Sequence, residues 1–174
     1  FRKLIPDAAE CEYFVTHVVT PEWHFQHDEG RPLADMVAER VSECPQYAAL
    51  IHAYATRFNE TIPAMMPGME AVVHGLIARQ VPLYAITNFG DEFWTLFRPI
   101  QPIFDSFIDI VVSGTEKLAK PDAAIFELAI RRFARPPESM LFIDDRADNI
   151  ESAEKCGFVG HHFTDSNSLI PVLR

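Results

Sequence analysis

The sequence predicts an α/β fold, a parallel sheet with helices on both faces, joined to a small all-helical domain. Two observations carry the prediction. From about residue 65 onward, short apolar runs alternate with helical patterns, the order that parallel strands need because each crossover must return over the sheet. Before residue 64 only helical periodicity is found, and a helix-only stretch of that length reads as a small bundle. The pattern changes near Pro63–Pro67, so the expected division is 1–64 for the helical domain and 65–174 for the sheet-bearing one.

Each element follows from local chemistry. Pro6-Asp7 opens a segment with Cys11, Phe14, Val15, Val18 and Val19 on one stripe. Pro32 suits a first helical turn, ahead of inward Leu33, Met36, Val37 and Val41, and Pro45 does the same for Tyr47, Leu50, Ile51, Tyr54 and Phe58. Between the first two helices, Thr20 to Gly30 reads as a polar and aromatic connector broken by glycine. Gly68 introduces a helix with Met69, Val72, Val73, Leu76 and Ile77 inward. Val81 to Ile86 is a strand and Asp91 to Arg98 a short helix. Phe107 to Val112 is the next strand, and Asp122 to Phe133 a helix burying Ile125, Phe126, Ala129, Ile130 and Phe133. Leu141 to Ile143 is the third strand. Ala147 to Cys156 is a helix stopped by Gly157 as a left-handed cap, and Phe158 to Phe163 is the last strand.

Composition narrows the function. The 174 residues are 48% hydrophobic and 23% charged, values of a soluble globular protein. The formal net charge of −10 argues against nucleic acid or an anionic membrane as a partner, since both need a basic face. Cys11, Cys44 and Cys156 are odd in number and far apart, with no disulfide or metal spacing, which points to a reducing, cytoplasmic setting. No apolar run approaches a membrane span. The chain opens on Phe1-Arg2-Lys3 without a methionine, a turn or a cap, and reads as the middle of a protein with residues upstream.

Three polar signals fall just past predicted strands or their connections. Met140-Leu141-Phe142-Ile143 ends in Asp144-Asp145, Ile86 is followed by Thr87-Asn88, and Lys120 precedes Pro121-Asp122. Parallel strands place their carboxyl ends on one edge, where ligands of open α/β sheets bind. Two adjacent carboxylates there are costly unless a cation sits beside them, and Mg²⁺ with its preference for oxygen ligands is the natural one. Taken alone, Asp144-Asp145 is equally an Asp-rich turn capping the next helix. In combination, Thr87 and Asn88 are placed to donate hydrogen bonds to a phosphoryl group. Pro121 holds Lys120 extended with an ammonium that offsets negative charge. Asp145 binds a metal, Asp144 binds it directly or through water, and Asn149 orients a carboxylate or the lysine.

These motifs resemble those of the haloacid dehalogenase superfamily, Asp-nucleophile hydrolases that are mostly phosphatases. Thr87-Asn88 matches the second motif, Lys120-Pro121-Asp122 the third, and Phe142-Ile143-Asp144-Asp145 with Asn149 the fourth. The resemblance covers nearly the whole chain and is to the capped subfamily I, in the glucose-1-phosphatase-like and epoxide-hydrolase-phosphatase-like branch. It implies a Rossmann-like core, a helical cap domain over residues 1–64, Mg²⁺ as cofactor and a small phosphorylated metabolite as substrate. Asp28-Glu29-Gly30 resembles a cap turn that faces the active site. Arg146 and Lys117 depart from the pattern, standing where a small residue and a glycine are common. The first motif, a strand ending in the nucleophilic aspartate, is absent. In the family it lies between the strands that end at Thr87 and Asp144, so the resemblance implies that the central first strand lies upstream of residue 1. The alternatives are a metal-free 2-haloacid dehalogenase and a non-catalytic binding protein on the same scaffold. The oligomeric state is not legible.

Other candidates read as structural. His24 and His27 have a metal-like spacing beside Asp28 but no clear further ligand. One of His161 and His162 should point outward from its strand. Trp23 reads as packing, and Cys156 as a small buried hydrophobe.

Overall fold

The computed structural model describes residues 1–169 and 171–173. Asp7 opens α1 (Ala8–Tyr13), its carboxylate accepting from the Glu10 amide at 2.7 Å, and the chain continues through a π-helical turn, Phe14–Val18. The stretch expected as a connector instead contains a two-turn helix, α2 (Pro21–Asp28). Its start signals are conventional: the Thr20 hydroxyl accepts from the Trp23 amide at 3.1 Å, and Pro21 takes the first helical position. The residues it buries are Trp23, His27 and Asp28, two of them polar, so a search for an apolar stripe passes over it.

Helices α3 (Leu33–Glu43) and α4 (Ala48–Arg57) bury the predicted Leu33, Met36, Val37, Ile51 and Tyr54. These join Phe14, Val18 and Trp23 in one apolar cluster. Phe14, Met36 and Ile51 have no exposed surface, so truncating any of them to alanine costs about 2–5 kcal/mol. The cluster does not stop at residue 64. Phe93 is part of it and Phe89 packs against it, both from the segment that follows the first strand.

The second cluster lies around the strands. β1 (Tyr84–Thr87) pairs in parallel with β2 (Asp109–Val112), Tyr84 opposite Asp109 and Thr87 opposite Val112. β3 (Leu141–Asp144) pairs in parallel with β4 (Val159–His162), Leu141 opposite Val159 and Asp144 opposite His162. The intervening helices are α5 (Met69–Ala78) before β1, α6 (Asp91–Phe97) after it, and a single unpredicted turn, α7 (Ser113–Glu116). They are followed by α8 (Ala123–Phe133), α9 (Ala147–Lys155) and the short α10 (Ser166–Leu169). Ile125, Phe126, Ala129 and Phe133 of α8 pack on Ile86, Val111 and Phe142 of the strands. Phe126 meets Phe142 edge to face at 5.2 Å between ring centres. Gly157, at φ +96°, ends α9 as predicted: its amide bonds back to the Glu154 carbonyl and that of Phe158 to the Ala153 carbonyl. His161 is half-buried and His162 exposed, as their alternation requires, while Cys156 is only half-buried.

The parallel α/β arrangement is as expected, but the strands form two separate two-stranded ladders. Among the described residues β1 bonds only to β2 and β3 only to β4, so each of β1 and β3 keeps one edge without a ladder. The stripe of α5 is half-covered in the same way: Met69, Val72, Val73, Leu76 and Ile77 are all partly buried and none fully. No helix among the described residues is long and apolar enough to cross a membrane.

Candidate active site at the strand ends

The carboxyl ends of β1 and β3 are tied together by side chains. Asn88, just past β1, accepts from the Lys120 amide with its oxygen at 2.9 Å and donates its amide to the Lys120 carbonyl at 2.8 Å. This two-way clasp fixes the backbone of the lysine. It also makes Asn88 first a brace, with its carbonyl and one of its two amide hydrogens engaged, where the sequence suggests a phosphoryl donor. Lys120 lies in a turn, not in an extended segment, and its bond to Pro121 is cis. Its ammonium donates to the Asp144 carboxylate at 2.6 Å and stands 5.5 Å from the centre of the Phe142 ring. With lysine and aspartate side chains 10% and 7% exposed, the pair is buried.

Asp144 is held from three directions. One oxygen takes the Lys120 ammonium, while the other takes the Asn149 side-chain amide at 2.9 Å and the Arg146 backbone amide at 2.9 Å. Burial pushes its pKa up, but the Lys120 charge and these donors outweigh it and hold the group below the usual carboxylate range. Asn149 reaches Asp144 from the first turn of α9, almost wholly buried. Arg146, the departure after the acidic pair, turns its guanidinium onto Asp148. Lys117, the other departure, adopts a left-handed backbone at φ 56°, a conformation that costs glycine least.

Asp145 is exposed, its carbonyl accepting from the His162 ring at 3.0 Å, and Thr87 closes β1 half-buried. The donor set can be weighed against Mg²⁺. Asp144 engages both oxygens with protein donors, whereas the Asp145 carboxylate stands open to solvent next to it. No group of three histidine, cysteine or acidic side chains is arranged to hold a metal ion among the described residues. Mg²⁺ commonly uses one or two carboxylates and completes its shell with water and phosphate oxygens, so Asp145 with Asp144 fits that cation and would not fit a metal needing a full protein cage.

Sequence reasoning missed the residues that hold the Asn88 loop. Ser113, fully buried at the start of α7, accepts from the Phe89 amide at 2.9 Å, and the Gly114 amide bonds to the Phe89 carbonyl at 3.1 Å. The metal-like histidine pair is instead a packing cluster. His24 shares a 2.5 Å hydrogen bond with the Tyr54 hydroxyl and lies 3.5 Å from Asp28, while His27 donates to the Arg31 carbonyl at 3.0 Å.

The family described as haloacid dehalogenase-like hydrolase matches residues 3–157. A sesquiterpene phosphatase of Aspergillus oryzae is 28% identical over 122 residues, which are 69% of this chain and 62% of that protein. A phosphorylated carbohydrates phosphatase of Thermotoga maritima is 22% identical over 148 residues, 82% of this chain and 68% of that protein. The chain thus spans about three fifths of the length of the fungal relative. Among solved structures, a HAD family enzyme of Bacteroides thetaiotaomicron in its magnesium complex superposes with a TM-score of 0.73 at 16% identity, over 95% of this chain and 86% of that one. Its complex with magnesium and inorganic phosphate gives 0.69 at 17% identity, over 86% and 78%. At these identities the structural likeness speaks for the fold.

Proposed function

We propose that this chain, which belongs to the haloacid dehalogenase-like hydrolase family, is the greater part of a Mg²⁺-dependent phosphatase of small phosphorylated metabolites. The reading rests on one observation above all: a buried Lys120–Asp144 pair, 2.6 Å apart and clasped by Asn88, beside the open carboxylate of Asp145. A lysine ammonium fixed at the meeting point of two parallel strands has a use where negative charge develops, as in phosphoryl transfer. The phosphatase names of two relatives and the magnesium and phosphate bound by the Bacteroides enzyme support the same class.

In this reading a carboxylate from a segment outside the described residues attacks phosphorus. As the carboxylate–phosphorus bond forms the ester P–O bond breaks, and the leaving oxygen takes its proton from solvent. Water then attacks the aspartyl-phosphate and releases inorganic phosphate. The free edges of β1 and β3 are where a strand carrying that nucleophile fits. Lys120 offsets the charge on the nucleophile and on the phosphoryl oxygens, Thr87 donates its hydroxyl to one of those oxygens, and Asn88 keeps Lys120 in place. Mg²⁺ held by Asp145, with Asp144 beside it, would supply further charge neutralisation. Residues 1–64 act as a cap that excludes water and selects the leaving group.

The test is hydrolysis of p-nitrophenyl phosphate by the full-length protein. Turnover should need Mg²⁺ and fall about 100-fold or more in Asp145→Ala and in Lys120→Ala. Turnover that persists in EDTA or survives Asp145→Ala would falsify the metal assignment. Metal-independent halide release from a 2-haloacid would replace the reading with dehalogenation.

A further inference from the structure

One junction joins the helical region to the Thr87–Gly90 loop through side chains that the mechanism leaves unused. The His27 ring is 1% exposed, and two contacts orient it: Nδ1 donates to the Arg31 carbonyl, and its edge meets the Phe93 ring at 4.7 Å. It lies directly on Gly90. A Cβ at Gly90 would stand 1.9 Å from the ring Cδ2 and 2.1 Å from Nε2, an impossible approach. Gly90 has φ −64° and ψ 140°, a backbone open to any residue. Glycine is needed there for space alone.

Two further glycines meet at the same place. A Cβ at Gly114 would stand 2.5 Å from the Asp91 amide and 2.8 Å from the Phe89 carbonyl. One at Gly30, directly after α2, would stand 2.9 Å from the Gly114 carbonyl and 2.7 Å from Lys117 Cγ. Glu92 spans the same junction, accepting from the Leu33 amide at 3.0 Å with its other oxygen 3.5 Å from His27 Nε2. The loop so gripped ends two residues past Asn88, the residue that clasps Lys120.

We propose that the C-terminal turn of α2 is a positioning element for the Thr87–Gly90 loop, with His27 seated on Gly90 setting where Asn88 and Lys120 stand; this rests on the phosphatase reading above. The helical region then does more than cover the site. Its second helix forms part of the mould in which the phosphoryl-binding loop is cast, and a shift of α2 reaches Lys120 through Gly90 and Asn88. Alignment errors of about 1 Å in such groups are worth up to about 100-fold in rate, so the contact has room to matter.

The test is a size-complementation cycle in the full-length protein: Gly90→Ala, His27→Ala and the double variant. Each is assayed for kcat and KM on p-nitrophenyl phosphate and for amide hydrogen exchange at residues 87–90. Gly90→Ala should lower kcat about 100-fold with KM little changed and speed exchange in the loop. The double variant, in which the methyl has somewhere to go, should recover most of both. A purely structural contact would lower the melting temperature of the variants and leave kcat of the folded enzyme alone. Wild-type kcat in Gly90→Ala, or a double variant no better than it, overturns the proposal. If Gly90→Ala does not fold, His27→Ala decides by itself: faster exchange at 87–90 with reduced kcat supports the contact, and unchanged exchange overturns it. A wild-type protein that does not hydrolyse p-nitrophenyl phosphate ends the phosphatase reading, and with it the catalytic purpose assigned to α2, while the exchange data still report on the contact itself.

Discussion

Asp28 in the helical region and Asp144 in the α/β region are buried to similar depth, with side chains 9% and 7% exposed, yet their ionisation is pushed in opposite directions. Burial alone would raise both. Around Asp144, the Lys120 ammonium and three hydrogen bonds overcome it and the carboxylate is held ionised. Around Asp28 none of the described residues brings such a cation. Its pKa is raised to about 7 by burial and by neighbouring Glu29, against a weaker lowering by the Gly90 amide, and one of its oxygens has no partner. The nearest imidazole, His24, is pushed down to about 4 by burial and by His27, and so brings no charge near neutrality. The partner, more than the depth, decides which form of a buried acid the fold stabilises.

The comparison is broken most forcefully at Lys120. Lys120→Met keeps the bulk but strands Asp144 without its cation, and should cost about 3–5 kcal/mol in urea unfolding at neutral pH. A loss under about 1 kcal/mol would mean that water already compensates the pair. Next comes Asp28→Asn. The folded pKa of about 7 lies above the ordinary aspartate value of 3.8, so the native state holds the proton between those values while the unfolded chain gives it up. Wild type should therefore lose stability relative to Asp28→Asn as pH rises from about 4 to 7, by on the order of 2–3 kcal/mol, and level off above. The depressed His24 pKa contributes the opposite slope between about 4 and 6.5, and Tyr54, raised by burial, stays neutral throughout, so the difference between the two proteins is the quantity to measure. A flat difference would mean that Asp28 is not buried as an acid. Asn149→Ala removes one of Asp144's donors and should cost about 1–2 kcal/mol, with activity reduced but not abolished. The smallest effect is at Lys117→Gly, where release from φ 56° should stabilise by about 1 kcal/mol or less, offset by lost packing of the lysine stem over Gly30.

The α/β half was largely legible because its signals are local. The predicted strand segments became β1 to β4, each four residues long, Asp122 caps α8 through the Ala124 amide, and Gly157 takes the left-handed conformation that ends α9. The candidate site was legible for a different reason: Asn88 follows β1, Asp144 ends β3 and Asn149 lies in the first turn of α9, so parallel topology brings them to one edge, while Lys120, ahead of α8, is held there by Asn88. Helix α2 was not legible as a helix because its buried face carries His27 and Asp28, which a hydrophobicity pattern counts as surface. The weight of Gly90 was hidden for a related reason. Its backbone angles are ordinary, and its need for a missing side chain exists only because His27, distant in sequence, lies against it.

The sequence by itself determined the order of the strands, their alternation with helices after residue 65 and the place of the acidic pair at the end of β3. It could do so because periodicity, caps and strand ends depend on neighbours within a few positions. Only the tertiary structure decided which buried acid is charged, that Asn88 clasps the backbone of Lys120, and that α2 reaches the same loop through a glycine. Those outcomes depend on distances between groups far apart in the chain, and in a low-dielectric interior a cation 2.6 Å away or its absence reverses the sign of the result.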